Sequence, residues 1–227
     1  MLSAHILLTG VYMAVNPFSI CAATPHASEK VGSALVSILR ELGHPLQFLV
    51  LCVGSDRATG DSLGPLVGSI LSWGGFGGKV LGTLDQPVHA ANLEGILANL
   101  DTEEGIVLGV DACLGTKAEV GSIIVRQGSL KPGLGVNKNL PPVGDLHIAG
   151  VVNVGGFMEH MVLQNTRLNL VVKMAQTISA GIFYASHYLE HGRFPSGPGP
   201  ILKDVILLGP KSAEPHPQLA PVSGRRQ

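Results

Sequence analysis

Runs of consecutive apolar residues alternate with stretches of helical periodicity between residues 28 and 110, and no other sequence feature constrains the fold as strongly. Uninterrupted apolar runs, unlike alternating ones, are typical of strands that are covered on both faces. The predicted order is a helix at 28–43, a strand at 48–53, a helix at 61–73, a strand at 79–84, a helix at 89–100 and a strand at 106–110. Strands that alternate with helices in this way pair in parallel through right-handed crossovers. We therefore expect an α/β fold with a mostly parallel central sheet.

Beyond residue 110 the sequence predicts two more strands and a long helical region. These are a strand at 122–126 with an edge position left open, a loop over 128–144, a strand at 147–152 and a helical region over 155–190 with a break near 164–165. Residues 28–192 contain neither an internal repeat nor a linker-like composition shift. We predict that they form a single domain.

The two ends of the chain differ in composition from this domain. No charged residue precedes Glu29, so the apolar stretch over residues 2–23 lacks the positive region of a signal peptide, and polar residues interrupt it as a membrane span. We expect residues 1–27 to be a poorly ordered N-terminal extension, with a signal or anchor as the alternative. We also predict that the first 25 residues are dispensable for folding. Residues 193–227 contain seven prolines and predict an irregular C-terminal tail.

The composition excludes several classes of function. The chain has 15 Lys and Arg against 16 Asp and Glu, and aromatic residues make up 4% of it, so we expect neither a nucleic-acid partner nor a membrane partner. Its three cysteines include no CxxC pair, which argues against a disulfide framework and a cysteine zinc site. Cys113 follows an acidic residue and is a weak candidate nucleophile, because no base lies at a recognisable motif distance.

Acidic residues follow three of the predicted strands. Asp61 ends the loop after the first strand, Asp85 and His89 follow the second, and Asp111 follows the third. Ligands of open parallel sheets bind beyond the carboxyl ends of the strands. Because charged residues are only 14% of the chain, three carboxylates at one edge of the sheet indicate a functional site.

Each of these residues also has a structural explanation. Asp61 can cap the helix that follows it, Asp85 can form an Asx turn before Gln-Pro, and Asp111 can bond loop amides. The loop over residues 54–64 departs from both phosphate-binding glycine motifs, and an acid at the helix start opposes a phosphate there. We therefore expect no nucleotide and no other cofactor.

Five segments over roughly residues 47–190 resemble the YyaC-type sporulation proteins of endospore-forming bacteria. They are LCVGSDRATGDSLGPLV at 51–67, TLDQPVHAANL at 83–93, DACLG at 111–115, PGLGVNK at 132–138 and LPPVGDLHI at 140–148. More distantly, the pattern is similar to the spore germination protease and the hydrogenase maturation proteases. This resemblance implies a three-layer α/β/α, phosphorylase/hydrolase-like fold with a peptidase-like domain over 28–192.

The resemblance selects the same acids as the strand ends do. The germination protease has Asp-Ala-Leu-Gly-Pro where this chain has residues 61–65, and Asp-Ala-Leu-Ala where it has residues 111–114. Its two aspartates, proposed as its catalytic pair, correspond to Asp61 and Asp111. Lys131 stands where that protease has a histidine, and a protonated lysine is a poor metal ligand, so we expect no metal site.

We therefore predict a sporulation-associated, peptidase-like hydrolase. Two nearby carboxylates can share one proton, so that one activates water while the other polarises the scissile carbonyl. Asp61 and Asp111 are the predicted pair, with their individual roles left open, and Lys131 would stabilise the developing negative charge. The candidate pocket residues are Asp56, Asp85, His89, Asn92 and Asn137.

Two alternatives remain at this stage. A non-catalytic sporulation binding protein would keep the pocket without turnover, and a metal-binding variant would use Asp61, Asp111 and His89. The expected partner is a protein or peptide substrate, for which the resemblance implies small acid-soluble spore proteins. Whether the chain forms a homo-oligomer is left open. The expected location is the cytoplasm of the sporulating cell or the spore interior.

Overall fold

The computed structural model describes residues 17–43, 48–100, 105–132 and 140–195. Within these ranges the chain forms six strands and five helices. In chain order they are β1 (Phe18–Cys21), α1 (Ala27–Glu41), β2 (Leu49–Cys52), α2 (Leu63–Trp73), β3 (Val80–Leu81), α3 (Leu93–Ala98), β4 (Val107–Gly115), β5 (Ser122–Gln127), β6 (Leu146–Val154), α4 (Glu159–Gln164) and α5 (Leu168–His191).

All six strands belong to one sheet with the order β1-β5-β6-β4-β2-β3. The neighbours β3, β2, β4 and β6 pair in parallel, whereas β5 is antiparallel to both β6 and β1. The mostly parallel sheet predicted from the sequence is therefore confirmed. The continuous apolar run of β2 reflects its central position, because all four of its residues are buried.

The sheet includes a strand from the segment that was predicted to be an extension. Phe18 pairs with Val125 and Cys21 with Ser122, so that β1 covers the outer edge of β5. Phe18 and Ile20 also pack against the core beneath α1. This pairing argues against the expectation that the N-terminal segment is dispensable for folding. Residues 1–16 and the tail from residue 196 lie outside the described residues.

Three helices cover one face of the sheet. Helices α1, α2 and α5 pack over Val50, Cys52, Val110 and Ile148, which alternate along their strands with residues of the opposite face. Helices α1 and α5 approach closely, since a Cβ added at Gly181 would lie 2.5 Å from a methyl carbon of Val31. The buried apolar residues of both helices belong to one core cluster, which also includes residues of the sheet.

Helix α3 lies on the opposite face, which makes the fold a three-layer α/β/α arrangement. Leu93 of α3 packs with Leu49 and Leu51 of β2 in a second, smaller apolar cluster. This helix is shorter than the 89–100 span predicted from periodicity. Over β4 and β6 the same face opens into a cavity. None of the helices in the described ranges has the length and apolarity needed to cross a lipid bilayer.

The strand that carries Asp111 is longer than the sequence indicated. We expected it to end at Val110, but β4 continues to Gly115 because β6 pairs with it along its whole length. Asp111, opposite Ala149, is therefore an interior residue of β4 and does not follow its end. Strand pairing here overrides the low strand propensity of aspartate. The predicted break in the last helical region is confirmed, since α4 ends at Gln164 and α5 begins at Leu168.

Candidate active site

Two cavities meet at the side chains of Asp61 and Asp111, which together with Leu163 line both. The sheet-side cavity, of about 590 Å³, lies over β4, β5 and β6 and is also lined by Ala112, Cys113, Leu114, Arg126, Gln127, Ser129, Leu130, Lys131, His147, Ala149 and Glu159. The loop-side cavity, of about 550 Å³, is also lined by Val53, Gly54, Ser55, Arg57, Ala58, His89, Ala90, Ala91, Pro132, Leu140, His160 and Gln164. The two aspartates, which we call the aspartate pair, thus line both cavities, and we refer to the two cavities together as the cleft.

The loop after β2 brings Asp61 to this point. Gly54 has a positive φ of 140°, and a Cβ at this position would lie 2.1 Å from the backbone oxygen of Asp61. Only glycine allows the chain to fold back this closely. The Ser55 N–H donates to the same backbone oxygen at 3.2 Å, and the Gly60 N–H donates to the Leu163 oxygen of α4 at 2.8 Å. The loop is therefore held from both sides.

Strand β4 brings Asp111 to the same point. Strand β2 ends at Cys52, opposite Val110, so Asp111 is the first residue of β4 without a β2 partner. Its side chain is only 8% exposed, and its Oδ1 accepts the Ala112 N–H at 2.7 Å. The early end of β2 leaves room beside Asp111, and the loop carrying Asp61 occupies part of that room.

The environments of the two carboxyl groups differ. Burial raises the pKa of Asp111 well above its usual value. The negative charge of Asp61 raises this pKa further, whereas the hydrogen bond from the Ala112 N–H lowers it in part. Burial also raises the pKa of Asp61, but the Ser55 N–H, His89 and His160 lower it in part. The negative charge of Asp61 disfavours ionisation of Asp111, as expected of neighbouring carboxyl groups. Asp111 is the more deeply buried of the two, and its protonated form is favoured more strongly than that of Asp61.

Of the other predicted residues, Lys131 and His89 reach the cleft. Lys131 is exposed on the wall of the sheet-side cavity, and His89 lines the loop-side cavity. The structure does not bring Asp56, Asp85 or Asn92 into the lining of either cavity, and all three are exposed. Asn137 lies outside the described residues.

His89 reaches the cleft and Asp85 does not, because β3 is only two residues long. After Gly82 the chain leaves the sheet and turns, and it returns when Val88 bridges to Val53 beside the end of β2. Asn92 holds the following turn, since its Oδ1 accepts the His89 N–H at 2.8 Å and its Nδ2 donates to the Pro87 oxygen. Asn92 therefore positions His89 from outside the cleft.

Several cleft residues were not identified from the sequence. His160 and Glu159 come from α4, and Arg126 and His147 come from β5 and β6, far along the chain from the aspartates. His147 shares the sheet face of Asp111, and its Nδ1 lies 2.7 Å from the Gly128 oxygen. Burial lowers its pKa, and a neutral ring then donates from Nδ1 and keeps Nε2 as an acceptor. His147 could have been identified from the sequence as a polar residue at the start of an otherwise apolar predicted strand.

Two minor alternatives gain no support from this geometry. Burial, followed by the charges of Asp111 and Glu119, raises the pKa of the Cys113 thiol to about 11, so the thiol is not an activated nucleophile at neutral pH. Among the described residues, no group of three or more His, Cys, Asp or Glu side chains is arranged to hold a metal ion. His89 thus does not complete a three-residue metal site with the aspartate pair.

Fold and site together define an α/β/α protein in which one buried and one half-buried aspartate line two neighbouring cavities. The family described as "Protein of unknown function (DUF1256)" matches residues 19–181, and the chain belongs to this family. The chain is also similar to a Bacillus subtilis (strain 168) protein described as "Uncharacterized protein YyaC". The two are 49% identical over 160 residues, which cover 69% of this chain and 77% of the relative. The matched residues include all of β1 except Phe18, and every element that lines the cleft.

Proposed function

We propose that this chain is a sporulation-associated peptidase that uses Asp61 and Asp111 as an acid pair. The observation that carries the proposal is the junction of two cavities at two carboxyl groups in unequal environments. A cleft that extends to both sides of the pair suits a polypeptide that passes through it. The distant resemblance to the germination protease supports the same reaction class and the sporulation context.

The unequal environments support an assignment of the roles that the sequence left open. Asp61 is the ionised member, because an N–H donor and two histidines favour its charged form. Asp111 is the protonated member, and because its Oδ1 accepts the Ala112 N–H, Oδ2 is the oxygen that carries the proton. This division matches the pattern in which paired carboxyl groups act as base and acid.

The reaction then follows the usual course of acid-pair hydrolysis. Asp61 takes a proton from water, the water oxygen bonds to the scissile carbonyl carbon, and Asp111 gives its proton to the carbonyl oxygen. When the tetrahedral intermediate breaks down, Asp61 protonates the leaving nitrogen and the C–N bond breaks. The hydroxyl that received the proton from Asp111 returns it, so both aspartates recover their starting states.

Other cleft residues would support this chemistry. The Lys131 ammonium lies on the wall of the cavity that holds Asp111 and would stabilise negative charge on the substrate carbonyl oxygen. His89 and His160 border Asp61 on the opposite side and favour its carboxylate form. We propose small acid-soluble spore proteins as the substrate class and the cytoplasm of the sporulating cell or the spore interior as the location.

The proposal is tested by incubating the purified full-length protein with a spore protein extract and identifying new chain ends by mass spectrometry. We expect discrete cleavages by the wild type and none by Asp61→Asn or Asp111→Asn. Asp56→Asn is the matched control, because Asp56 is exposed on the same loop and lines neither cavity. If the wild type cleaves nothing while all variants capture the same extract proteins, the chain is the non-catalytic binding protein instead.

A further inference from the structure

Strand β4 extends past the end of its neighbour β2 and leaves a free edge in the cleft. The last β2 pairing is Cys52 with Val110, whereas β4 continues to Gly115 in contact with β6 alone. The backbone groups of alternate strand residues point to opposite neighbours. The Val53 N–H donates to the Val110 oxygen at 2.7 Å, so Val110 faces the β2 side. The register between β4 and β6 shifts between Cys113 and Leu114, and beyond this shift the Gly115 oxygen accepts the Gly155 N–H at 2.8 Å, so Gly115 faces the β6 side.

Ala112 and Leu114 therefore direct their backbone groups to the side that β2 has vacated. The Ala112 N–H donates to Oδ1 of the Asp111 carboxyl group. Strand β2 offers no partner to the Ala112 oxygen, the Leu114 N–H or the Leu114 oxygen, because its last pairing is Cys52 with Val110. Both residues are half-buried and line the sheet-side cavity beside the aspartate pair. Unpaired backbone groups at a strand edge are a template for an additional strand.

We propose that this edge binds the backbone of an extended polypeptide substrate as an added strand next to Asp111. The inference rests on the proposed peptidase function and deepens it, because it assigns the backbone as the main recognition element. A peptide segment that pairs with Ala112 and Leu114 passes the aspartate pair as it leaves the edge. Strand addition selects unfolded or flexible segments, since a residue within folded secondary structure has no free N–H and C=O to offer.

An exposed apolar surface lies at the carboxyl end of the same strand. The Gly155 N–H donates to the Gly115 oxygen at 2.8 Å, which fixes the start of the connection to α4 beside the end of β4. Phe157 in this connection is 89% exposed, and Met158 beside it, Val154 at the end of β6 and Met161 of α4 are exposed as well. Exposed apolar clusters of this kind mark binding surfaces. Methionines adapt to varied partners, so this surface suits apolar side chains of differing shape in the bound segment.

The inference is tested with a ten-residue synthetic peptide centred on a bond that the protein cleaves in the spore protein extract. An N-methyl group is placed on each amide in turn, which removes one N–H donor at a time. On the side of the bond that pairs with β4, we expect methylation of alternate residues to lower kcat/KM by about tenfold or more. Methylation of the intervening residues should lower it by less than about threefold, because their N–H groups point away from the edge.

Two variants of the protein test the same edge by changing Leu114 and leaving the peptide unmodified. Leu114→Pro removes the free N–H without removing a bond to β6, and Leu114→Ala keeps the N–H while shortening the side chain. Both variants lose the leucine side chain and they differ in the N–H, so we expect kcat/KM of Leu114→Pro to be about tenfold lower than that of Leu114→Ala. Melting temperatures show whether each variant is folded. The peptide series uses only the wild-type protein, so its result does not depend on whether the variants fold.

The outcomes separate this inference from the function on which it rests. If the peptide is cleaved but methylation shows no alternation, strand addition is wrong and the peptidase remains. If Leu114→Pro dissociates a dimer and leaves cleavage unchanged, the edge is an interface between copies of the chain. If no protein in the extract is cleaved, the proposed function and this inference fail together.

Discussion

Gly54 offers a direct test of how closely the position of Asp61 is controlled. A Cβ at residue 54 would lie 2.1 Å from the Asp61 backbone oxygen, whereas real contacts of this kind are essentially never below 3.0 Å. Gly54→Ala must therefore displace the Asp61 loop by close to an ångström. A misplacement of about 1 Å in a catalytic group can lower activity by about 10²-fold. We expect this loss in kcat/KM for the cleaved peptide.

Gly43→Ala is the matched control for this variant. Gly43 also has a positive φ, of 112°, but nothing lies within 4 Å of its added Cβ. In both variants the alanine has an unfavourable backbone conformation, which lowers the free energy of unfolding by roughly 1–2 kcal/mol. Only Gly54→Ala should also lose activity. Equal and small activity losses in the two variants, with both melting temperatures lowered, would refute the claim that the Gly54 contact sets the Asp61 geometry.

Three further predictions concern protonation and packing. Because the folded-state pKa of Asp111 is raised, the contribution of Asp111 to the free energy of unfolding is greatest below its unfolded-state pKa and is lost as pH rises through its folded-state pKa. Chemical denaturation at several pH values should show this decline in the wild type and a smaller decline in Asp111→Asn. Cys113→Ser should keep peptide cleavage within about threefold of wild type, because the thiol is protonated at neutral pH, and a total loss would point to a nucleophilic thiol. Deletion of residues 1–25 removes β1 and should lower the melting temperature by at least about 5 °C, whereas an unchanged value would mean that β1 contributes nothing to stability.

Much of the fold could be predicted because apolar patterning is local. The uninterrupted run at residues 48–53 required a strand covered on both faces, and β2 is central in the sheet. The alternation of strands and helices required parallel pairing, which β2, β3, β4 and β6 show. Asp61 and Asp111 could be singled out because charged residues are scarce and both stood next to such runs.

Other features depend on pairing between distant segments. Nothing in residues 18–21 shows that they form a strand, because β1 exists through its ladder with β5. The length of β4 beyond Asp111 comes from β6 and places that acid inside a strand. The sequence alone could therefore not reveal the free edge at Ala112 and Leu114.

The same distinction separates the aspartate pair from the residues around it. Sequence alone determined which strands are buried and which acids adjoin them, because burial pattern and charge are properties of neighbouring residues. Only the tertiary structure decided that His89 and not Asp85 reaches the cleft, since the Val88 bridge to Val53 sets that return. It also decided that His160 stands beside Asp61 and that Asp111 is the more deeply buried acid. Charge–charge interactions and desolvation act through space, so the protonation of the pair is a property of the folded chain.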